Sequence, residues 1–374
     1  MGERATKIYS FFLCAFTGFL VGFGFAYTSN LLEGERDNAI VFTVATVAIS
    51  VVAFVFGIFL HIIVHEAGHL VMGLLSGYSF VAFGVFDQLF VKQNGKIIRK
   101  KMSIVGAGGS CHLSPPDMVN GKFPHILYFF GGVLANILFS AIFFLLFFLF
   151  AQNAELLARG FLVVAGVGVY FFLLNLAPHK IDIPSDGWFI FHLGKEKNAL
   201  SRRALWARLR VQAFSAQGLR SRDIPAEYFL WTEGQDLSDP LIFAAAAIKY
   251  ECFIDSQKIA EARECLNELF EKTENMPGSY KHAIGAEVLF CEIISECRPA
   301  EIERVYTDSL QEYLKASNDR PETQRTLYAY ELLVSKNAEK AKEHLEKFRA
   351  VLATESEEIK SSGEEIIDLI HKKT

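Results

Sequence analysis

The pentapeptide His65-Glu66-Ala67-Gly68-His69 lies inside the apolar stretch IFLHIIVHEAGHLVMGLL. Histidines four apart on a helix share one face about a turn apart, which suits them to holding a single metal ion. Glu66 projects beside them, where it can take a proton from water acidified by that metal. Ionisable side chains are costly inside lipid and read there as a functional-site hypothesis. A shared metal ion explains why the apolar surroundings tolerate them. The expectation is one Zn2+ per chain on His65 and His69. His61 lies one turn upstream on the same face and reads as an interfacial or supporting residue rather than a ligand.

Catalytic zinc takes three protein ligands and keeps one position for water, so a ligand is missing. The stretch NLAPHKIDIPSDGW runs from Asn175 to Trp188. Pro178 cannot continue a helix, so it closes the apolar run before it. Asp182 and Asp186 follow, and an aspartate just beyond a span can reach back to the metal.

These residues need a membrane scaffold, and the composition supplies one. The chain has 374 residues, 51% of them hydrophobic, and Phe occurs 35 times. Asp, Glu, Lys and Arg are absent from Ile8–Leu32, Asn38–His65, Ile126–Asn153 and Gly160–His179. Each run is near or above the roughly 20 residues needed to cross a bilayer core, and no comparable run follows Lys180. The sequence therefore predicts an α-helical membrane domain of about four spans over residues 1–190. A juxtamembrane helical linker covers 191–238 and an all-α soluble domain 239–374. The basic flank MGERATK resembles that of a signal peptide, but the apolar run behind it is longer than such a segment carries, so it reads as a retained span.

The loop between the second and third runs holds Lys92, Lys96, Arg99, Lys100, Lys101 and Lys122, whereas NLLEGERDN is acidic. The positive-inside bias then places the N-terminus, the basic loop and the C-terminal domain in the cytoplasm, in a multi-pass protein of the cell membrane. The four-span count is in keeping with a bacterial source. The six cysteines form no CxxC, and those of the C-terminal half read as free thiols of a reducing compartment. The net charge of −5 lies mostly in that half and excludes nucleic acid as a partner.

Three motifs together resemble the site-2 protease family of intramembrane zinc metalloproteases. They are HEAGH, then FFGGVLAN with Gly132 and Asn136, then NLAP…SDG with Asn175, Pro178, Asp186 and Gly187. The resemblance covers about residues 1–190. It implies that His65, His69 and Asp186 bind zinc, that Glu66 is the general base, and that the substrate is a membrane-embedded protein or peptide. Eight positions separate Pro178 from Asp186, more than the family's usual pattern, which keeps Asp182 as the alternative; the glycine after Asp186 favours Asp186. Asn136 and Asn175 are candidate amide donors to the substrate or to the carbonyl under attack; helix–helix hydrogen bonding is the other reading of both. Gly131 and Gly132 read as a close-packing surface.

The segment after the second span reads as strand, turn, strand about Asn94-Gly95, a membrane-associated β-hairpin. A strand edge beside the site could hold an unwound substrate extended. The glycines of GAGGSCHLSPPD are followed by no GK[ST], so they read as a flexible loop and not as a nucleotide site. RRALWARLRVQAF reads either as a helix on the membrane surface or as an ordinary packed helix. In the C-terminal domain EARECLNELF, EIERVYTDSL and KAKEHLEKFR recur at spacings of 40 and 39 residues about Ala262, Ile302 and Ala341. That period suggests a divergent tetratricopeptide-like array, a fold that binds protein partners on a concave face. A competing reading keeps the membrane fold without catalysis, as an adaptor or receptor acting through the array. The intact Glu66 argues against it. A membrane metalloprotease of another kind, with a glutamate as third ligand, finds no suitable glutamate within the runs.

Overall fold

The computed structural model describes residues 39–374 together with Gly18 and Gly22, apart from residues 94, 102–107, 180–183, 230–235, 274–277 and 354. The first expected span, Asn94 of the expected turn, and Asp182 therefore lie outside the described residues. The chain divides into two compact units, one of residues up to 86 with 106–198, the other of 87–105 with 199–374.

In the first unit α1 (Ala39–Leu75), α2 (Ile126–Phe150) and α3 (Glu155–Leu176) are each long and apolar enough to cross a membrane. Helices suit this role because each satisfies its own backbone hydrogen bonds where no water can. Val44, Val47, Val51, Phe54 and Phe56 of α1, and Leu138, Ile142, Leu145 and Leu149 of α2, stand exposed as a lipid-facing surface would require. The 37 residues of α1 span about 55 Å, well beyond a bilayer core of about 30 Å. Helix α3 starts five residues before the expected charge-free run, because its two charges neutralise each other. Arg159 Nη2 lies 2.5 Å from Glu155 Oε1, and its guanidinium sits 5.3 Å from the ring centre of Phe42.

Strands β1 (Ser79–Val85) and β4 (Gly109–Ser114) pair antiparallel with Phe83 opposite Cys111, with a bulge between Phe80 and Ala82. They dock on the start of α2. Leu113 is buried, Tyr78 stacks on Tyr128, and the Tyr128 hydroxyl donates to Cys111 O at 2.8 Å. A short helix, α4 (Asp186–His192), closes the unit.

In the second unit β2 (Gln88–Gln93) and β3 (Lys96–Lys101) form the expected hairpin. Gln93 faces Lys96, which leaves a two-residue turn, and Gly95 takes the left-handed φ of +77° that such a turn demands. The hairpin thus groups with the C-terminal helices and not with the spans. Those helices are α5 (Ala199–Ala216), α6 (Pro240–Asp255), α7 (Ile259–Lys272), α8 (Gly278–Ile294), α9 (Pro299–Val305), α10 (Asp308–Ala316), α11 (Pro321–Ala329), α12 (Ala338–Leu352) and α13 (Glu357–His371). Side-chain caps start four of them: Asp239, Thr307, Asn337 and Ser356 each accept from a backbone N–H of the first turn. Helix α5 buries Ala207 and Val211 against Ile224, Tyr228, Ile248 and Cys252, so one face is an ordinary packed face.

Ala262, Ile302 and Ala341 are each the fourth residue of their helix and each is buried. The three recurring segments therefore begin their helices in the same phase. The middle one breaks at Tyr306 and Thr307, where α9 gives way to α10. Cys111, Cys252, Cys265, Cys291 and Cys297 are free thiols.

Candidate metal centre

Helix α1 places His65 and His69 on one face toward α2, and two glycines make that approach possible. A Cβ on Gly68 would lie 2.2 Å from Gly131 O, and one on Gly131 would lie 2.2 Å from Gly68 O. Backbone therefore meets backbone where α1 crosses α2, as small residues permit within membranes. Gly132 leaves the space the imidazoles occupy: a Cβ there would stand 2.6 Å from His69 Nε2 and 2.7 Å from His65 Cε1.

The third group arrives from beyond α3. Ser185 caps α4 by accepting from Trp188 N, and its hydroxyl donates to Ala177 O at 2.6 Å. Gly187 rests directly on the end of α3, where a Cβ would lie 1.8 Å from Leu176 O. These contacts fix Asp186 at the first position of α4. Its Oδ2 lies 3.1 Å from His65 Nε2 and 3.4 Å from His69 Nε2. The two Nε2 atoms are 3.1 Å apart. Ligand atoms of His65, His69 and Asp186 thus converge within 4.8 Å of one another.

The donor set fits zinc on the structure's own terms. His69 Nδ1 lies 2.8 Å from Tyr128 O, a carbonyl that can only accept, so Nδ1 carries the proton and Nε2 offers a lone pair toward the meeting point. The Asp186 carboxylate is drawn in beside the two ring nitrogens, with its Oδ2 3.1 Å from His65 Nε2. A carboxylate and two ring nitrogens so placed call for a cation among them, and two histidines with one carboxylate is a donor set of catalytic zinc.

Glu66 is half-buried on the turn between the histidines. Strand β4 runs against it: a Cβ on Gly109 would meet Glu66 Cγ at 2.6 Å. Asn136 is fully buried, 3.0 Å from His65 Nδ1 and 3.2 Å from His61 Nδ1. Asn175 donates to Phe171 O within its own helix at 3.0 Å, which is the helix hydrogen bonding read as its alternative role. The sequence reading did not single out Tyr128, whose contribution is a backbone carbonyl without a side-chain signature. It read GAGGSCHLSPPD as a flexible loop, whereas Gly109–Ser114 is strand β4, held in register by its pairing with β1, and it passed over Gly68 and Gly168, whose role appears only when a second element crosses them.

Apolar helices long enough to cross a membrane thus carry two histidines that meet a carboxylate, an arrangement suited to an intramembrane metallopeptidase. The chain belongs to peptidase family M50, the site-2 protease family, whose model matches residues 53–370, from within α1 to within α13. Peptidases of that family depend on zinc. No curated protein and no solved structure matches the chain.

Proposed function

We propose that this chain is an intramembrane zinc endopeptidase that cleaves a membrane-bound protein or peptide precursor within or near the bilayer. The observation that carries the reading is the convergence of His65 Nε2, His69 Nε2 and Asp186 Oδ2 beside Glu66. His65, His69 and Asp186 would hold the ion. The chemistry supplied by zinc, when bound, is polarisation of the scissile carbonyl and acidification of water. Glu66 takes the proton from that water and returns it to the leaving amine. Its carboxylate sits on the turn between the histidines, within one residue of the ligand His65.

An unwound substrate segment would be held extended by a strand edge beside the site. In the helical unit we place the partner site in a cleft of about 420 Å³ whose lining includes Tyr250, Glu287, Tyr313 and Arg325. The basic loop residues support a cytoplasmic position for the N-terminus and for the C-terminal helices.

The test is elemental analysis of the detergent-purified chain. About one zinc per chain is expected, lost in His65→Ala and Asp186→Ala and kept in Asp182→Ala. Glu66→Ala should keep the metal and serve as a substrate trap. A wild-type chain that holds no zinc under conditions that do not strip it would overturn the reading.

A further inference from the structure

His65 has two ring nitrogens, and only one protonation pattern leaves Nε2 free for an ion. The surroundings of His61 decide which pattern is present. His61 is fully buried and its Nε2 lies 3.2 Å from Val164 O of α3. Gly168 makes that approach possible, since a Cβ there would stand 2.1 Å from His61 Cε1 and 2.4 Å from His61 Nε2. The Val164 carbonyl can only accept, so His61 Nε2 must carry a proton.

Two arrangements of the Asn136 amide are then conceivable. With the amide oxygen toward His61, at 3.2 Å from Nδ1, His61 Nδ1 would have to donate as well. His61 would be a cation with no exposed surface, and among the described residues its ring nitrogens meet only Asn136 Oδ1 and Val164 O. An uncompensated buried charge costs several kcal/mol. With the amide turned over, every group is neutral and every bond has one donor and one acceptor. Turning an amide exchanges two groups of nearly equal shape and costs almost nothing.

We infer that Val164 O, His61 and Asn136 form a directed hydrogen-bond chain that fixes His65 in its metal-binding tautomer, with His61 as a positioning residue. His61 Nε2–H donates to Val164 O. Asn136 Nδ2–H donates to His61 Nδ1. His65 Nδ1–H donates to Asn136 Oδ1, which leaves the lone pair on His65 Nε2 aimed at Asp186 and His69. Helix α3 thereby orients one ligand through a side-chain chain, while α2 orients the other, His69, directly through Tyr128 O. Asn136 has no exposed surface and both atoms of its amide act in this chain, so its part is in the centre. The inference rests on the zinc endopeptidase reading above.

The test is zinc affinity of the full-length chain in detergent, measured by competition with a chelator, with the melting of the zinc-free protein recorded alongside. His61→Phe keeps the ring shape but offers Asn136 no acceptor. It should lose roughly tenfold to a hundredfold in affinity, the usual cost of removing a partner that orients a ligand. His61→Gln can accept from Asn136 and donate to Val164 O, so it should restore the affinity. Histidine-selective 15N NMR of the wild-type chain, assigned by difference with His61→Gln, should show His61 neutral and protonated at Nε2, and His65 protonated at Nδ1. Wild-type affinity in His61→Phe would overturn the chain of bonds while sparing the zinc site. So would a wild-type His61 that is protonated at Nδ1, a measurement that needs no variant to be stable. A wild-type chain without zinc would overturn both readings together.

Discussion

In the membrane unit, His61, Asn136 and Ser140 are at most 2% exposed, and their recorded bonds run to one another, to His65 and to backbone carbonyls. The helical unit buries charges instead. Arg220 Nη2 meets Asp255 Oδ1 at 2.7 Å and its Nη1 meets Glu365 Oε1 at 2.7 Å, which ties the end of α6 to α13. Arg325 pairs with Glu287, and its guanidinium stacks 4.4 Å from the ring centre of Phe290. The difference follows from the surroundings. Among membrane-spanning helices a neutral chain that ends on a carbonyl leaves no charge to solvate, whereas a domain edged by water can satisfy ions in pairs. The Arg159–Glu155 pair at the start of α3 and the candidate metal centre are exceptions in this unit, and at the centre Asp186 brings a charge that a cation would resolve.

The strongest way to sharpen this contrast is Glu66→Gln. It should lower cleavage of a membrane substrate by about 10²–10⁴-fold while zinc content stays at one per chain. Loss of the metal in that variant would mean Glu66 belongs to the ligand set and not to proton transfer. Next in size is Asp255→Ala, which leaves Arg220 to Glu365 alone. Breaking a buried pair costs about 3–5 kcal/mol, and the loss should appear as faster hydrogen exchange in α6 and α13 with α1–α3 unchanged. Protection that stays at the wild-type level would show that the pair holds nothing together. Gly68→Ala should destabilise the membrane unit by about 1–3 kcal/mol, because the added methyl strikes the Gly131 backbone rather than a movable side chain. An unaltered melting temperature would contradict the close crossing.

Acid separates the units again. Burial alone would raise Asp255, but Arg220, the Ser362 hydroxyl and the Arg222 N–H hold its carboxyl below the ordinary range. A depressed acid contributes stability that is complete above the unfolded value of about 3.9 and is lost as pH falls through the folded value. Protection in α6 and α13 should therefore decline below about pH 4 in the wild type, with a shallower decline in Asp255→Asn. Equal slopes would remove Asp255 as the cause. The smallest effect belongs to the exposed Glu343–Lys347 pair, where Lys347→Ala should leave the melting temperature close to the wild-type value. A larger loss would show that surface charge matters in this unit as much as buried charge.

The sequence made the chemistry legible and left its supports hidden. HEAGH carries its own geometry, because a helix converts spacing into direction. The DG pair marked Asp186, although the demand on Gly187 is visible only where α4 meets the end of α3. The Asn94-Gly95 turn announced the β2–β3 hairpin, but nothing in its residues said that it would group with the C-terminal helices. Counting charge-free residues misplaced the start of α3, because a self-neutralising pair such as Glu155 and Arg159 reads in a sequence like two ordinary charges. The carbonyls of Tyr128 and Val164 were invisible throughout, since any residue type supplies one.

Gly187 seats Asp186 on the last carbonyl of α3, while His65 and His69 ride on α1. The ligands thus belong to two helices that nothing covalent joins nearby. An ion held by all three clamps those helices together, and by reciprocity whatever spreads the helices loosens the ion. On the proposed zinc site, metal affinity would therefore also be a gauge of bundle tightness. Substitutions far out along α1 or α3 that alter how the two helices lie together would then register at the centre as a change in zinc release, without touching a ligand.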